Sequence, residues 1–111
     1  MSEYVQIATT TDEREQAVKI AADLVQRRLA ACVQISGPIH SCYRWQGKVE
    51  TSDEWLCVAK TRRDLFQEVE RAIRAQHPYD VPEILATPVI DGSPDYLRWV
   101  DEQLGSNAMG G

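Results

Sequence analysis

From Ala31 to Thr61 the chain reads as strand almost without a break, with Val33 and Ile35, then Tyr43 and Trp45, then Leu56 and Val58 at two-residue spacing. Gln46-Gly47 is the best turn signal inside this stretch, so it forms one hairpin. Arms of about fourteen residues at ~3.3 Å each reach ~45 Å, beyond the span of a domain whose radius of gyration should be ~13 Å. A tip carrying Tyr43 and Trp45 is an aggregation hazard unless it meets another chain, and the hairpin therefore predicts an oligomer. With the tip at Gln46-Gly47, Tyr43 faces Glu50, Ser36 faces Cys57 and Cys32 faces Thr61. Gly37-Pro38 interrupts the first arm, and the bulge or bend expected there can move the register by one.

The flanking segments supply the rest of an α+β fold. Tyr4 to Ala8 alternates as a first strand, and Thr10 with Glu13 has capping-box spacing ahead of a helix bearing Ala17, Ile20, Ala21, Leu24 and Val25, through about Leu29. A second helix is expected from about Arg62 to Gln76, capped by Thr61, with a stripe of Leu65, Phe66, Val69, Ala72 and Ile73. Glu83 to Ile90 reads as a fourth strand, and Ser93-Pro94 opens a terminal helix bearing Tyr96, Leu97, Trp99 and Val100. The order βαββαβ plus a helix is that of the ferredoxin-like split βαβ sandwich, two helices covering one face of a four-stranded antiparallel sheet. Residues 1–104 form one domain and 105–111 a flexible tail.

Seventeen acidic against twelve basic side chains give a net charge of −5, which argues against nucleic acid and anionic membranes as partners. The first residues have no secretory pattern and no segment has spanning length, so a cytoplasmic protein is expected. Cys32, Cys42 and Cys57 are odd in number and form no CxxC pair, as befits reduced thiols without a disulfide framework or zinc ribbon.

The run His77-Pro78-Tyr79-Asp80-Val81-Pro82-Glu83 places an imidazole, a phenol and carboxylates on one stiffened connection. Each proline pushes its preceding residue out of the helical region, so the second helix stops by Gln76 and His77 is extended. The segment has two readings: a helix-to-strand elbow, or a ligand site beside an oligomer interface.

The residues Ala31-Cys32-Val33, Ser41, Tyr43, Trp45, Gly47, Glu54, Lys60-Thr61, His77-Pro78-Tyr79, Val81-Pro82-Glu83-Ile84, Gly92, Tyr96-Leu97 and Trp99 together resemble the CutA family of divalent-cation-tolerance proteins. The resemblance runs to about Leu104. It implies a ferredoxin-like homotrimer whose hairpins wrap neighbouring subunits, a cytoplasmic location, and binding of divalent metal ions such as Cu(II) as part of a response to them. Some bacterial members carry a cysteine where this chain has Ala8 and a second histidine where it has Gln76. His77 is thus the one position of the family's copper-ligand set that matches.

His77 suits Cu or Zn as a neutral imidazole, with an oxygen from Glu83 or a neighbouring subunit, or it serves the carbonyls at the helix end. His40 shows no second donor beside it and is assigned to surface or interface packing. Lys60, Glu54, Tyr79 and Glu83 form a second constellation that converges if trimer packing brings them together, either as a cleft for a small metabolite or nucleotide or as an interfacial ion pair. The metabolite reading makes the chain a trimeric regulator similar in architecture to the PII proteins. No nucleophile elbow, phosphate loop or zincin motif is present, and a non-enzymatic protein is expected.

Overall fold

In the computed structural model, which describes residues 3–105, strand β1 (Tyr4–Thr11) turns Val5, Ile7, Thr9 and Thr11 to one buried face. Helix α1 (Arg14–Gln26), strands β2 (Cys32–Trp45) and β3 (Lys48–Arg62), helix α2 (Phe66–Gln76), strand β4 (Leu85–Pro88) and helix α3 (Pro94–Gln103) follow. The strands form one antiparallel sheet in the order β2-β3-β1-β4, the expected α+β sandwich topology. Ile20 and Leu24 of α1 and Val69, Ala72 and Ile73 of α2 close the core over Val5, Ile7 and Ala59. Val25, expected on the inner stripe, is exposed instead.

Three local expectations are corrected. Thr10 belongs to β1, and α1 opens at an N-cap Glu13 with no side-chain cap; the nearby Thr11 hydroxyl donates to the Glu13 carbonyl at 2.8 Å. Thr61 caps nothing, because it lies in β3 and its hydroxyl donates to the Leu29 carbonyl at 2.7 Å, while a 3₁₀ turn (Arg63–Leu65) starts the next helical segment. β4 spans Leu85–Pro88, shorter than the predicted Glu83–Ile90. Ser93 does cap α3, accepting from Tyr96 N at 3.4 Å with Pro94 behind it. Of the expected flexible tail, 106–111 lie outside the described residues, and Gly105 donates to the Arg28 carbonyl at 2.9 Å.

The hairpin keeps its expected register from Trp45↔Lys48 through Tyr43↔Glu50 to Ile39↔Glu54. Beyond Gly37-Pro38 it moves by one, so that Ser36 faces Leu56, Ile35 faces Cys57 and Cys32 faces Lys60. Two residues thus oppose Trp55 alone, a bulge at the cis Gly37-Pro38 peptide. Because strand side chains alternate, the extra residue reverses which face β2 presents. Val33 and Ile35 point with Ala59 and Cys57 toward α1 and α2, whereas Ile39, Tyr43 and Trp45 share the opposite face with Glu54, Glu50 and Lys48. The tip is a turn with Gln46 at φ 51° and Gly47 at φ 81°. The molecule measures 43 × 26 × 23 Å with a radius of gyration of 14.6 Å, elongated by this arm.

Candidate functional site

The proline-stiffened segment does behave as an elbow. His77 closes α2 in an extended conformation (φ −84°, ψ 136°), and Pro82 is buried. Both ring nitrogens of His77 are engaged: Nε2 lies 2.8 Å from the Thr10 carbonyl, and Nδ1 lies 3.1 Å from Tyr79 N. A carbonyl only accepts and an amide N–H only donates, so the proton sits on Nε2 and the Nδ1 lone pair receives Tyr79 N–H. His77 therefore ties the elbow to the end of β1 and shapes the turn that carries Tyr79, whose ring lies 4.8 Å from the imidazole.

Tyr79 in turn donates its hydroxyl to Glu54 Oε2 at 2.9 Å. Glu54 is only 8% exposed, so this bond satisfies a carboxylate that would otherwise be costly to bury. Burial, then the hydrogen bond to Glu54 and its charge, push the Tyr79 phenol well above the usual tyrosine range. Glu54 sits just above the bulge, where Gly37 presses against Trp55, and Arg14 stands 5.9 Å over that indole. Histidine, tyrosine, carboxylate and bulge thus lock elbow, sheet and hairpin into one corner.

The rest of the expected constellation does not join them within one chain. Lys60 lies six residues from Glu54 along β3, roughly 20 Å away at ~3.3 Å per residue, with its ammonium 5.8 Å over the Tyr96 ring of α3. Glu83 is exposed, and among the described residues no hydrogen bond or ion pair links it to His77, Tyr79 or Glu54. Gln76 uses its side-chain amide to bond Asp23 and the Ala72 carbonyl, each at 3.1 Å. Among the described residues no group of three or more His, Cys, Asp and Glu side chains is arranged to hold a metal ion. The elbow as built is a poor fit to a metal: it offers one imidazole, and that imidazole has no free lone pair.

Two features escaped the sequence reading. The Thr10 carbonyl is main chain and leaves no mark in a sequence. The partner of His40 was legible: the hairpin register sets Asp53 opposite it, and the His40 Nδ1 to Asp53 Oδ1 distance is 3.3 Å. All three cysteines are free thiols, Cys57 buried, Cys32 partly so and Cys42 exposed. An open groove at the other end of the molecule, lined by Val5, Arg63, Phe66, Ala86 and Pro88, includes none of the candidate residues. Among the described residues no helix is long and apolar enough to cross a membrane.

Comparison with known proteins gives this geometry its context. The sequence profile described as CutA1 divalent ion tolerance protein matches residues 5–103. The divalent-cation tolerance protein CutA of Thermus thermophilus is 44% identical over 105 residues, covering 95% of this chain and 100% of that protein. The chloroplastic CutA protein of Arabidopsis thaliana is 43% identical over 94 residues, 85% of this chain, which spans about half (52%) of that relative's length. Among solved structures, the Thermus thermophilus protein superposes with a TM-score of 0.89 at 41% identity, covering 92% of this chain and 99% of that one. The CutA of Archaeoglobus fulgidus, described as periplasmic, also gives 0.89, at 38% identity over 92% of this chain and 99% of that one. With a profile match across nearly all the described residues and a full-length relative above two-fifths identity, the chain belongs to the CutA1 divalent ion tolerance family.

Proposed function

We propose that this protein is a cytoplasmic homotrimer that binds divalent metal ions, Cu(II) among them, and takes part in the response to those ions through binding, not catalysis. The observation that carries the reading is family membership over residues 5–103. The hairpin supports the trimer: its bulge turns Ile39, Tyr43 and Trp45 away from α1 and α2, and the two aromatics are 41% and 46% exposed. Three such arms wrapping one another would cover them.

Because both ring nitrogens of His77 are engaged as the elbow stands, His77 would act as the metal donor in this proposal only by giving up one of those bonds. Coordination there exchanges an existing hydrogen bond, Tyr79 N–H to Nδ1, for the metal bond, so affinity is modest. Protons compete for imidazole nitrogen, so binding weakens as pH falls. Titrating Cu(II) into the wild type and His77→Ala, each at neutral and mildly acidic pH, tests this. Saturable binding that is lost in the variant supports it; equal affinity in the two proteins removes His77 from the site. A thermal shift produced by nucleotides or small acids and not by metals would favour the PII-like alternative.

A further inference from the structure

The two histidines of this chain differ in what their ring nitrogens are free to do. His77 has both nitrogens committed to the main chain. His40 has one committed: its Nδ1 lies 3.3 Å from Asp53 Oδ1, and since a carboxylate only accepts, Nδ1 carries a proton, so that in the neutral imidazole the Nε2 lone pair is the one left for a ligand. The imidazole is 69% exposed, and among the described residues nothing is bonded to Nε2. Two positions further along β2, on the same face of the strand, stands the exposed thiol of Cys42. This face lies above the bulge, on the arm that projects past the helices.

The geometry points to a soft-metal site on the hairpin, with His40 Nε2 and Cys42 Sγ as direct ligands and Asp53 as the outer partner that fixes the imidazole. Asp53 fills the role that carboxylates take behind ligating histidines, holding the tautomer and making the ring a better donor. Two strand positions put the roots of the donors about 6.6 Å apart on one face, a span that imidazole and thiol close around one ion at bond lengths of about 2.0 and 2.3 Å. Thiolate selects soft cations, and Cu(I) is the ion satisfied by so few ligands. As the copper–sulfur bond forms, the Cys42 thiol gives its proton to solvent, and His40 donates its lone pair without losing a proton; no electron moves. The site goes beyond the divalent-ion reading and stands even if the elbow binds nothing.

An anaerobic titration of Cu(I) in competition with a chromophoric Cu(I) chelator tests it. The proteins compared are the wild type, Cys42→Ser, His40→Ala, Asp53→Asn, Cys32→Ser and His77→Ala, with circular dichroism confirming that each is folded. One Cu(I) per chain is expected for the wild type, with bound metal shielding Cys42 from alkylation. Affinity should fall ~10-fold or more in Cys42→Ser and His40→Ala and about 10-fold in Asp53→Asn. Cys32→Ser and His77→Ala should match the wild type, which separates this site from the Cu(II) behaviour of the elbow. Wild-type affinity in His40→Ala would reduce the site to a bare thiol and overturn the proposal, as would loss of Cu(I) binding in Cys32→Ser or His77→Ala.

Discussion

Thr9 is a polar side chain at odds with its surroundings. It is 1% exposed, and among the described residues its Oγ1 is buried without a hydrogen-bond partner. An orphaned hydroxyl keeps its desolvation cost and gains nothing for it, so the isosteric Thr9→Val should stabilise the protein by about 1 kcal/mol in urea unfolding. A loss of stability would mean that the hydroxyl is satisfied after all. Opposite Thr9, burial pushes the Cys57 thiol from 9.0 up to about 11, and the hydrogen bond to Asp101 followed by burial pushes Tyr4 from 10.0 up to about 12. Tyr79 is raised as well. In each case the unfolded chain releases its proton first. The stability they contribute is therefore whole below the unfolded value and is lost as pH rises toward the folded one. Urea midpoints measured at about pH 8 and about pH 10.5 should fall, and Cys57→Ala should reduce the part of the fall that begins near pH 9. A midpoint that does not move would contradict these environments.

Gly37 carries the bulge at the scale of elements. Its φ is +151°, and a Cβ there would lie 2.8 Å from the Trp55 ring and 3.0 Å from the Glu54 carbonyl oxygen. Gly37→Ala should cost on the order of 2 kcal/mol in urea unfolding. Because the bulge sets Glu54 in place, the same change should loosen the Tyr79–Glu54 corner; unchanged stability would show that the strand absorbs the side chain. The long hairpin, its tip and the possible one-residue shift at Gly37-Pro38 were legible because period-two alternation and a Gln-Gly turn are local signals. The helix stop before His77 was legible for the same reason, since Pro78 acts on its neighbour. Thr10 and Thr61 were misread as caps. Their spacing suits a cap, but pairing with β3 and β1 keeps both in strands, and only tertiary structure shows that. The candidate site was legible in part: His77 and Tyr79 do meet through their shared turn, and Glu54 joins Tyr79. Lys60 does not join them within one chain, because six positions along β3 separate it from Glu54.

The whole molecule is built as though part of its surface belongs to another copy. Below the bulge, β2 feeds Val33 and Ile35 toward the chain's own helices, and above it the same strand turns Ile39, Tyr43 and Trp45 outward. In the proposed trimer this aromatic face of the projecting arm packs against the other chains. Trp45→Ala should therefore weaken assembly by on the order of 2 kcal/mol or more while leaving the circular dichroism spectrum nearly unchanged. The central claim, that the hairpin makes this chain a subunit of a trimer, is tested most directly by light scattering coupled to gel filtration at micromolar concentration. The account predicts a mass three times the 12.5 kDa of one chain for the wild type; a species of 12.5 kDa would contradict it.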